Sequence, residues 1–475
     1  MTAPSNPRVE FPEDFVFGGA TAAYQCEGET RTHGKGEVFW DEYLETTGKY
    51  ASSPASDFYN RYPVDLKLCE MFGINGIRVS IAWTRIFPEG RGEVNPEGVR
   101  FYHELFAECR RRGVEPFVTL HHFDTPNVFY KKGDFLNRET VDAFVEFATF
   151  CFAEFPEVRQ WVTFNEIWAA AANLFVEGTW PWAEQDRVDK ALQLNHNMMV
   201  AHARAVCAYK DAGFDGRIGV VHTLESKYPA DPDDAGDIAA AKAEDVMQNQ
   251  MLLDATFRGT YAPDTLAEIE RLCALRGTSL VVDEADVPFM ERAARENDFL
   301  GVNYYQSRFV AAYDGPTQLH FNGTGDKGTS CYRLEGVGQR VEPEGIDRTD
   351  WDWLIYPEGL FDLLCRIRRQ WPNYKAIYIT ENGMGYKDPI ENGIVFDEPR
   401  IDYIKRHLQA VLDARAAGVN VCGYFVWSLM DMFSWNNGYN KRYGLFYVDF
   451  ETQERFPKAS AYWFKRVAES RRLDA

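Results

Sequence analysis

Trp161-Val162-Thr163-Phe164-Asn165-Glu166 is an apolar run of strand length that stops abruptly on two polar side chains. Ile377-Tyr378-Ile379-Thr380-Glu381-Asn382-Gly383 repeats the arrangement much later in the chain. Runs that are apolar at nearly every position, rather than at alternate ones, suit parallel strands covered on both faces. Working outward, the quoted pair becomes Trp161–Glu166 and Ala376–Glu381. Six more runs join them: Phe15–Tyr24, Gly76–Ala82, Glu115–His122, Arg217–Thr223, Phe299–Tyr305 and Val421–Met430. Amphipathic stretches at about 60–72, 97–112, 138–155, 186–212, 242–272, 356–370 and 400–417 lie between them. Eight strands alternating with helices predict an α/β fold, a closed (β/α)8 TIM barrel with long βα loops, which 475 residues accommodate. A doubly wound open sheet is the alternative, but its Gly-rich first turn is absent.

No linker rich in Pro, Gly or Ser, no low-complexity tract and no internal repeat divides the chain, so residues 1–475 are expected to form a single domain. The largest insertion, about 306–355, reads as irregular. It holds Gly323, Gly325 and Gly328 in G-x-G-x-x-G spacing, but no helix pattern opens behind them, so a surface loop is predicted and not a dinucleotide site. The formal charge of −21 argues against nucleic acid or an anionic membrane as partner. No apolar run reaches the length of a membrane span, and Met1 to Glu10 is polar, without the apolar core of a signal peptide. The nine cysteines are odd in number, scattered and without a C-x-x-C pair, which fits reduced thiols rather than disulfides or a zinc site. A cytoplasmic protein is expected; association into a homo-oligomer is left open.

In such a barrel chemistry gathers at the C-terminal ends of the strands, and polar residues concentrate there. The first strand ends near Gln25, the second carries Arg78, and the third closes on His121-His122. Asn165-Glu166 end the fourth, Asn303-Tyr304-Tyr305 the sixth, Glu381-Asn382-Gly383 the seventh, and Trp427-Ser428 the eighth. Glu166 and Glu381 therefore face one mouth from strands on roughly opposite sides. Two facing carboxylates are the minimum equipment for cleaving a glycosidic bond. One must be held protonated by repulsion from the other, and the other kept ionised by a cation such as Arg78. Taken singly, a Glu after a strand is a solvated strand end, and Glu381-Asn382-Gly383 is a turn signal that favours positive φ; it is their pairing that points to chemistry. His122 lacks an H-E-x-x-H partner set, so neither a metal nor any other cofactor is expected.

These residues resemble glycoside hydrolase family 1 along nearly the whole chain. Thr163-Phe164-Asn165-Glu166 is similar to the family's acid/base motif, and Ile379-Thr380-Glu381-Asn382-Gly383 to its nucleophile motif. Phe17-Gly18-Gly19-Ala20-Thr21-Ala22-Ala23-Tyr24-Gln25 resembles its N-terminal signature, and Tyr356–Leu360 and Trp427–Asp431 also fit. The resemblance implies a retaining β-glycosidase with Glu381 as nucleophile and Glu166 as acid, then base. It implies glycone binding by Gln25, His122, Asn165 and Trp427, and support of Glu381 by Arg78, Asn303 and Tyr305. It also implies an aromatic platform for the aglycone at Trp353.

One departure bears on the substrate. Common β-glucosidases of the family carry Glu-Trp after the eighth strand, where this chain has Ser434-Trp435. A Glu beside O6 would repel a 6-phosphate by several kcal/mol. Ser434 removes that charge, and Lys441 and Tyr443 add a cation and a donor in the same loop. The arrangement resembles the 6-phospho-β-glycosidase branch. Trp435, and Phe123 in place of the usual Trp, lean toward an axial O4. The expected reaction is hydrolysis of 6-phospho-β-galactosides such as lactose 6-phosphate, a small phosphorylated disaccharide. The alternatives are a 6-phospho-β-glucosidase or dual enzyme, a glycosidase for unphosphorylated sugars, and a non-catalytic sugar-phosphate-binding barrel.

Overall fold

The structure, a computed structural model, describes residues 10–391 and 394–473. Of the polar stretch Met1–Glu10, all but Glu10 lies outside the described residues. Eight parallel strands close into a barrel: β1 (Val16–Ala20), β2 (Gly76–Ser80), β3 (Glu115–His121), β4 (Gln160–Asn165), β5 (Arg217–Thr223), β6 (Phe299–Asn303), β7 (Ile377–Asn382) and β8 (Val421–Trp427). Each pairs with its sequence neighbours, and β1 pairs with both β2 and β8 to complete the ring. All eight lie within or beside the predicted runs. The differences are at the ends, because ladder pairing stops where the chain turns over the barrel rim. Gln25, for example, lies on a short helix Ala23–Cys26 rather than on the first strand. The strands are buried almost throughout, which is why they read as continuous apolar runs.

Local signals fix the helices. Asn95 caps Pro96–Arg112 by accepting the Glu97 N–H at 3.2 Å, and Gly113 ends it in the left-handed region. Asn137 caps Arg138–Glu154 in the same way. The stretch expected as one helix over 242–272 is broken. Ala235–Asp245 passes through a π turn, Val246–Gln250, into Met251–Arg258, and after Gly259 a new helix runs from Pro263 to Ala274. Gly259, at φ +71°, stops the helix and Pro263 starts the next. Three further helices of more than two turns, Phe39–Thr47, Val287–Glu296 and Ala459–Ser470, were not predicted.

The insertion 306–355 is not irregular. Arg308–Ala311, Gln318–His320, Cys331–Leu334 and Gly338–Val341 join Lys227–Pro229 in a five-stranded sheet beside the barrel mouth. Strands of three or four residues are too short to show a period, which hid them. The glycine cluster at 323–328 does lie in a loop, and Asn437 and Asn440 hold its carbonyls at Gly323 and Thr324. One hydrophobic core runs through barrel and helices.

Candidate active site

Both glutamates stand where the barrel ladder is irregular. The register between β4 and β5 shifts between Val162 and Asn165, and that between β7 and β6 shifts between Ile379 and Glu381. Bulges of this kind re-aim side chains at a barrel rim. Glu166 itself takes φ 47° and ψ 63°, a left-handed conformation that costs a non-glycine residue about 1 kcal/mol. Asn382-Gly383 makes no positive-φ turn, in keeping with the reading of the two motifs as a pair: β7 runs through Asn382, and Gly383 is needed because a Cβ there would meet the Trp427 carbonyl oxygen.

The two carboxylates have different company. Arg78, wholly buried on β2, donates from Nη1 to Glu381 Oε1 at 2.5 Å and from Nη2 to Asn165 Oδ1 at 2.7 Å. The Tyr305 hydroxyl donates to Glu381 Oε2 at 2.6 Å. Asn303, the ladder partner of Glu381, donates its amide to Glu166 Oε1 at 2.7 Å and to Asn165 Oδ1 at 3.0 Å, and its side chain also helps to hold the Glu381 carboxylate ionised. Both carboxylates meet the neutral Asn303 amide, but only Glu381 also has a cation and a hydroxyl as hydrogen-bond donors. Burial first, and then the charge of Glu381, push the Glu166 carboxyl up to about 8. Burial also raises Glu381, but Arg78 and Tyr305 oppose it, so the shared proton belongs on Glu166.

Asn165 Nδ2 lies 3.2 Å from His122 Nε2, which must accept, so the proton of this buried neutral imidazole is on Nδ1. Trp427 stacks on its ring at 5.8 Å and 14°. Gln25 donates through Nε2 to the Phe433 carbonyl at 2.6 Å. This leaves Gln25 Oε1 and His122 Nδ1 as an acceptor and a donor without protein partners. His121, its neighbour at the end of β3, does not extend this polar patch. It is turned into the protein onto Thr125 Oγ1 at 2.8 Å.

Ser434 opens a tight turn closed by reciprocal 2.8 Å hydrogen bonds with Gly438. Trp435 stacks on Tyr24 at 5.7 Å and 6°, with Trp40 at 4.7 Å and the edge of Phe123 at 5.9 Å. Lys441 is only 1% exposed, and among the described residues no carboxylate pairs with it. Its ammonium lies 3.7 Å from the Trp353 ring centre, 5.0 Å from Trp351 and 5.3 Å from Tyr443. Burial pushes it well below the usual lysine range. Gly385 leaves room for its stem. Arg442, next in the chain, turns away to Asp431 at 2.7 Å, so the Lys-Arg pair is not a solvated surface pair. Trp353 reaches the cavity, with one part of its surface taken by Lys441.

A cavity of about 590 Å³ is lined by Glu166, Glu381, Gln25, His122, Asn165, Trp427, Ser434, Trp435, Lys441, Tyr443, Tyr305 and Trp353. Arg78 and Asn303 lie behind its carboxylates. Glu225, Gln248, Arg308 and Arg340 line the same cavity and were not predicted. The end of the fifth strand, Thr223-Leu224-Glu225, carried the signal that was read at the other strands. Among the described residues no group of three or more His, Cys, Asp or Glu is placed to hold a metal ion, and no helix is long and apolar enough to cross a membrane. All nine cysteines are free.

The family model for glycosyl hydrolase family 1 matches residues 8–473. A 6-phospho-β-galactosidase of Streptococcus mutans is 56% identical over 463 residues, 98% of this chain and 99% of that one. A 6-phospho-β-galactosidase of Staphylococcus aureus is 56% identical over 464 residues, 97% of this chain and 99% of that one. Among solved structures, the family 1 β-glucosidase of Thermotoga maritima superposes with a TM-score of 0.86 at 34% identity, covering 99% of this chain and 100% of that one.

Proposed function

The chain belongs to glycosyl hydrolase family 1, and from that premise we propose that it is a retaining 6-phospho-β-galactosidase acting on lactose 6-phosphate and related compounds. The observation that carries the phosphate is Lys441, a buried amine facing the cavity with aromatic rings around it and no carboxylate among the described residues, which a bound phosphate would hold protonated. In a chain of net charge −21 such a group suits an anion brought by the substrate. Ser434 and Tyr443 add hydroxyls beside it. Gln25, His122, Asn165 and Trp427 hold the glycone, and the stacked Trp435 walls the corner where an axial O4 fits. Trp353 lies under the leaving group.

Glu381, ionised beside Arg78, attacks C1. As the C1–O bond breaks, the leaving oxygen takes the proton of Glu166. The aglycone departs and leaves a glycosyl ester on Glu381. With Glu381 esterified, its charge no longer raises Glu166, whose carboxylate now takes a proton from water. The water oxygen bonds to C1, and the ester bond to Glu381 breaks. A sugar phosphate dianion does not cross a bilayer unaided, so enzyme and substrate must share a compartment, and the cytoplasm is the reading that the sequence favours.

The test is turnover of para-nitrophenyl β-galactoside with and without the 6-phosphate, and of the phosphorylated C4 epimer. The phosphorylated galactoside is expected to be the best substrate by kcat/KM. Better turnover of the unphosphorylated sugar would remove the phosphate assignment, and better turnover of the epimer would make the enzyme a phosphoglucosidase. Glu381→Gly should be inactive and regain glycosyl transfer with azide; a wild type without turnover and a variant without rescue would leave a sugar-phosphate binder.

A further inference from the structure

The glycone and phosphate groups come from β1, β3, β4 and β8, and none comes from β5. Yet β5 ends on a carboxylate in the same cavity. Glu225 Oε2 accepts from Lys227 Nζ at 2.6 Å and from Arg308 Nε at 3.2 Å. Lys227 also reaches Gln248 Oε1 at 2.7 Å and Glu244 at 3.3 Å, and Arg340 closes the network on Glu244 at 3.2 Å. The backbone is fixed as firmly. Asn249 accepts the Glu225 N–H at 3.2 Å and donates to its carbonyl at 2.7 Å. Asn249 and Gln248 both stand in the π turn Val246–Gln250, a helix irregularity that recurs at functional sites. Burial works against ionisation of Glu225, but Arg308, Lys227 and Arg340 overcome it and hold the carboxyl well below its usual range.

All this binds one oxygen only. Among the described residues Glu225 Oε1 has no hydrogen bond, and the side chain, 11% exposed, lines the cavity. The position also fits a substrate. Glu166 follows β4, and its N–H donates to Val221 of β5 at 2.9 Å, so β5 adjoins the acid that protonates the leaving oxygen. The leaving group therefore lies on this side.

We propose that Glu225 is a specificity residue for the aglycone: its free oxygen accepts a hydroxyl of the leaving sugar, with Gln248 beside it, so that the enzyme selects sugar aglycones over apolar ones. This rests on the glycosidase reading above, but not on the phosphate. Fixed ionised acceptors bind sugar hydroxyls through charge-assisted hydrogen bonds, and a preorganised one loses little on binding.

The experiment compares kcat/KM of Glu225→Ala and Glu225→Gln with wild type on lactose 6-phosphate and on para-nitrophenyl β-galactoside 6-phosphate. The two share a glycone and differ in aglycone hydroxyls. The lactose-to-nitrophenyl ratio is expected to fall about 10- to 100-fold in Glu225→Ala, and less in Glu225→Gln, which keeps an acceptor oxygen and the shape of the site. Equal losses on both substrates, or a ratio within twofold of wild type in both variants, would overturn the assignment. If Glu225→Ala does not fold, as a melting curve would show, Glu225→Gln decides by the same ratio. If the wild type prefers unphosphorylated sugars, the ratio is taken on lactose and para-nitrophenyl β-galactoside. The phosphate reading then falls while the role of Glu225 is still decided.

Discussion

Glu166 and Glu381 are the same side chain in one cavity, and their neighbours set them apart as the proposed acid and nucleophile require. In the proposed mechanism Glu166 works protonated, and burial and the Glu381 charge raise it to about 8, so kcat/KM should fall as pH rises through about 8. Glu381 works ionised and is also raised by burial, so the acid limb should lie above the ordinary glutamate value of 4.5. A pH–rate profile on the nitrophenyl phosphogalactoside reads both limbs; a basic limb below 6 would remove Glu166 as the acid. Lys441 makes a separate prediction. Lys441→Ala deletes the buried cation, at a cost of about 3 kcal/mol against a dianion, so preference for the phosphorylated over the plain galactoside should collapse more than a hundredfold. Competition between the two sugars measures that ratio directly, and a ratio left intact would move the phosphate elsewhere. Both glutamates and Lys441 were legible in the sequence because each breaks a local rule: a charge ends an apolar strand, or a basic residue stands where a glutamate has gone. Glu225 breaks the same rule at β5. The network that makes it a site comes from residues 227, 244, 248, 308 and 340, whose meeting no local pattern records.

At the scale of the element, the loop after β8 carries Ser434, Trp435, Lys441 and Tyr443, and a buried charge network behind it sets its position. Asp431 accepts from Arg442 at 2.7 Å, from Lys458 at 2.7 Å and from the Gly444 N–H at 2.9 Å. Lys458, just before the helix Ala459–Ser470, also pairs with Asp388, which Arg400 holds at 2.9 Å. Lys458→Met would strip a cation from two buried carboxylates at once, a loss of about 3–5 kcal/mol. Melting should show it as a lower Tm. Because the loop moves with Asp431, turnover of the phosphorylated galactoside should suffer more than that of the plain one. A lower Tm with equal losses on both would mean that the loop is positioned by other contacts. The barrel strands could be read because burial on both faces leaves them mostly apolar, with the polar exceptions gathered toward the site. The small sheet at the mouth could not, since strands such as Gln318-Leu319-His320 are shorter than any period. The π turn at Val246–Gln250 was also hidden, because one extra residue in a helix leaves its apolar pattern nearly intact.

For the whole molecule, the buried ionisable groups set an optimum pH for stability. His121, His122, His196, His202, His222 and His407 are buried, and burial depresses each below 6.5, His121, His202, His222 and His407 to about 3 and His196 to about 4. Their unfolded forms bind protons below 6.5 and the folded forms do not, so they withdraw stability as pH falls through that value. Asp124 and Asp134 are raised by burial to about 7, and Glu166 to about 8. The folded state holds these protons where the unfolded chain has lost them, so they withdraw stability as pH rises from about 4 toward 7 or 8. Between 8 and 6.5 the carboxyls act alone. Acidification there stabilises, and it also relieves self-repulsion in a chain of net charge −21. Below 6.5 the six histidines oppose the raised carboxyls, Glu381 among them, and stability falls again as the unfolded imidazoles take up protons. Tm should therefore peak near pH 6.5 and fall on both sides. Melts from pH 5 to 8.5 at constant ionic strength test this, and a Tm that keeps rising down to pH 5 would mean that the buried imidazoles find room for a proton. The catalytic window, above the Glu381 limb and below the Glu166 limb, spans the same region. Burial produces both: the dry interior that keeps histidines neutral also keeps a proton on Glu166 until pH 8.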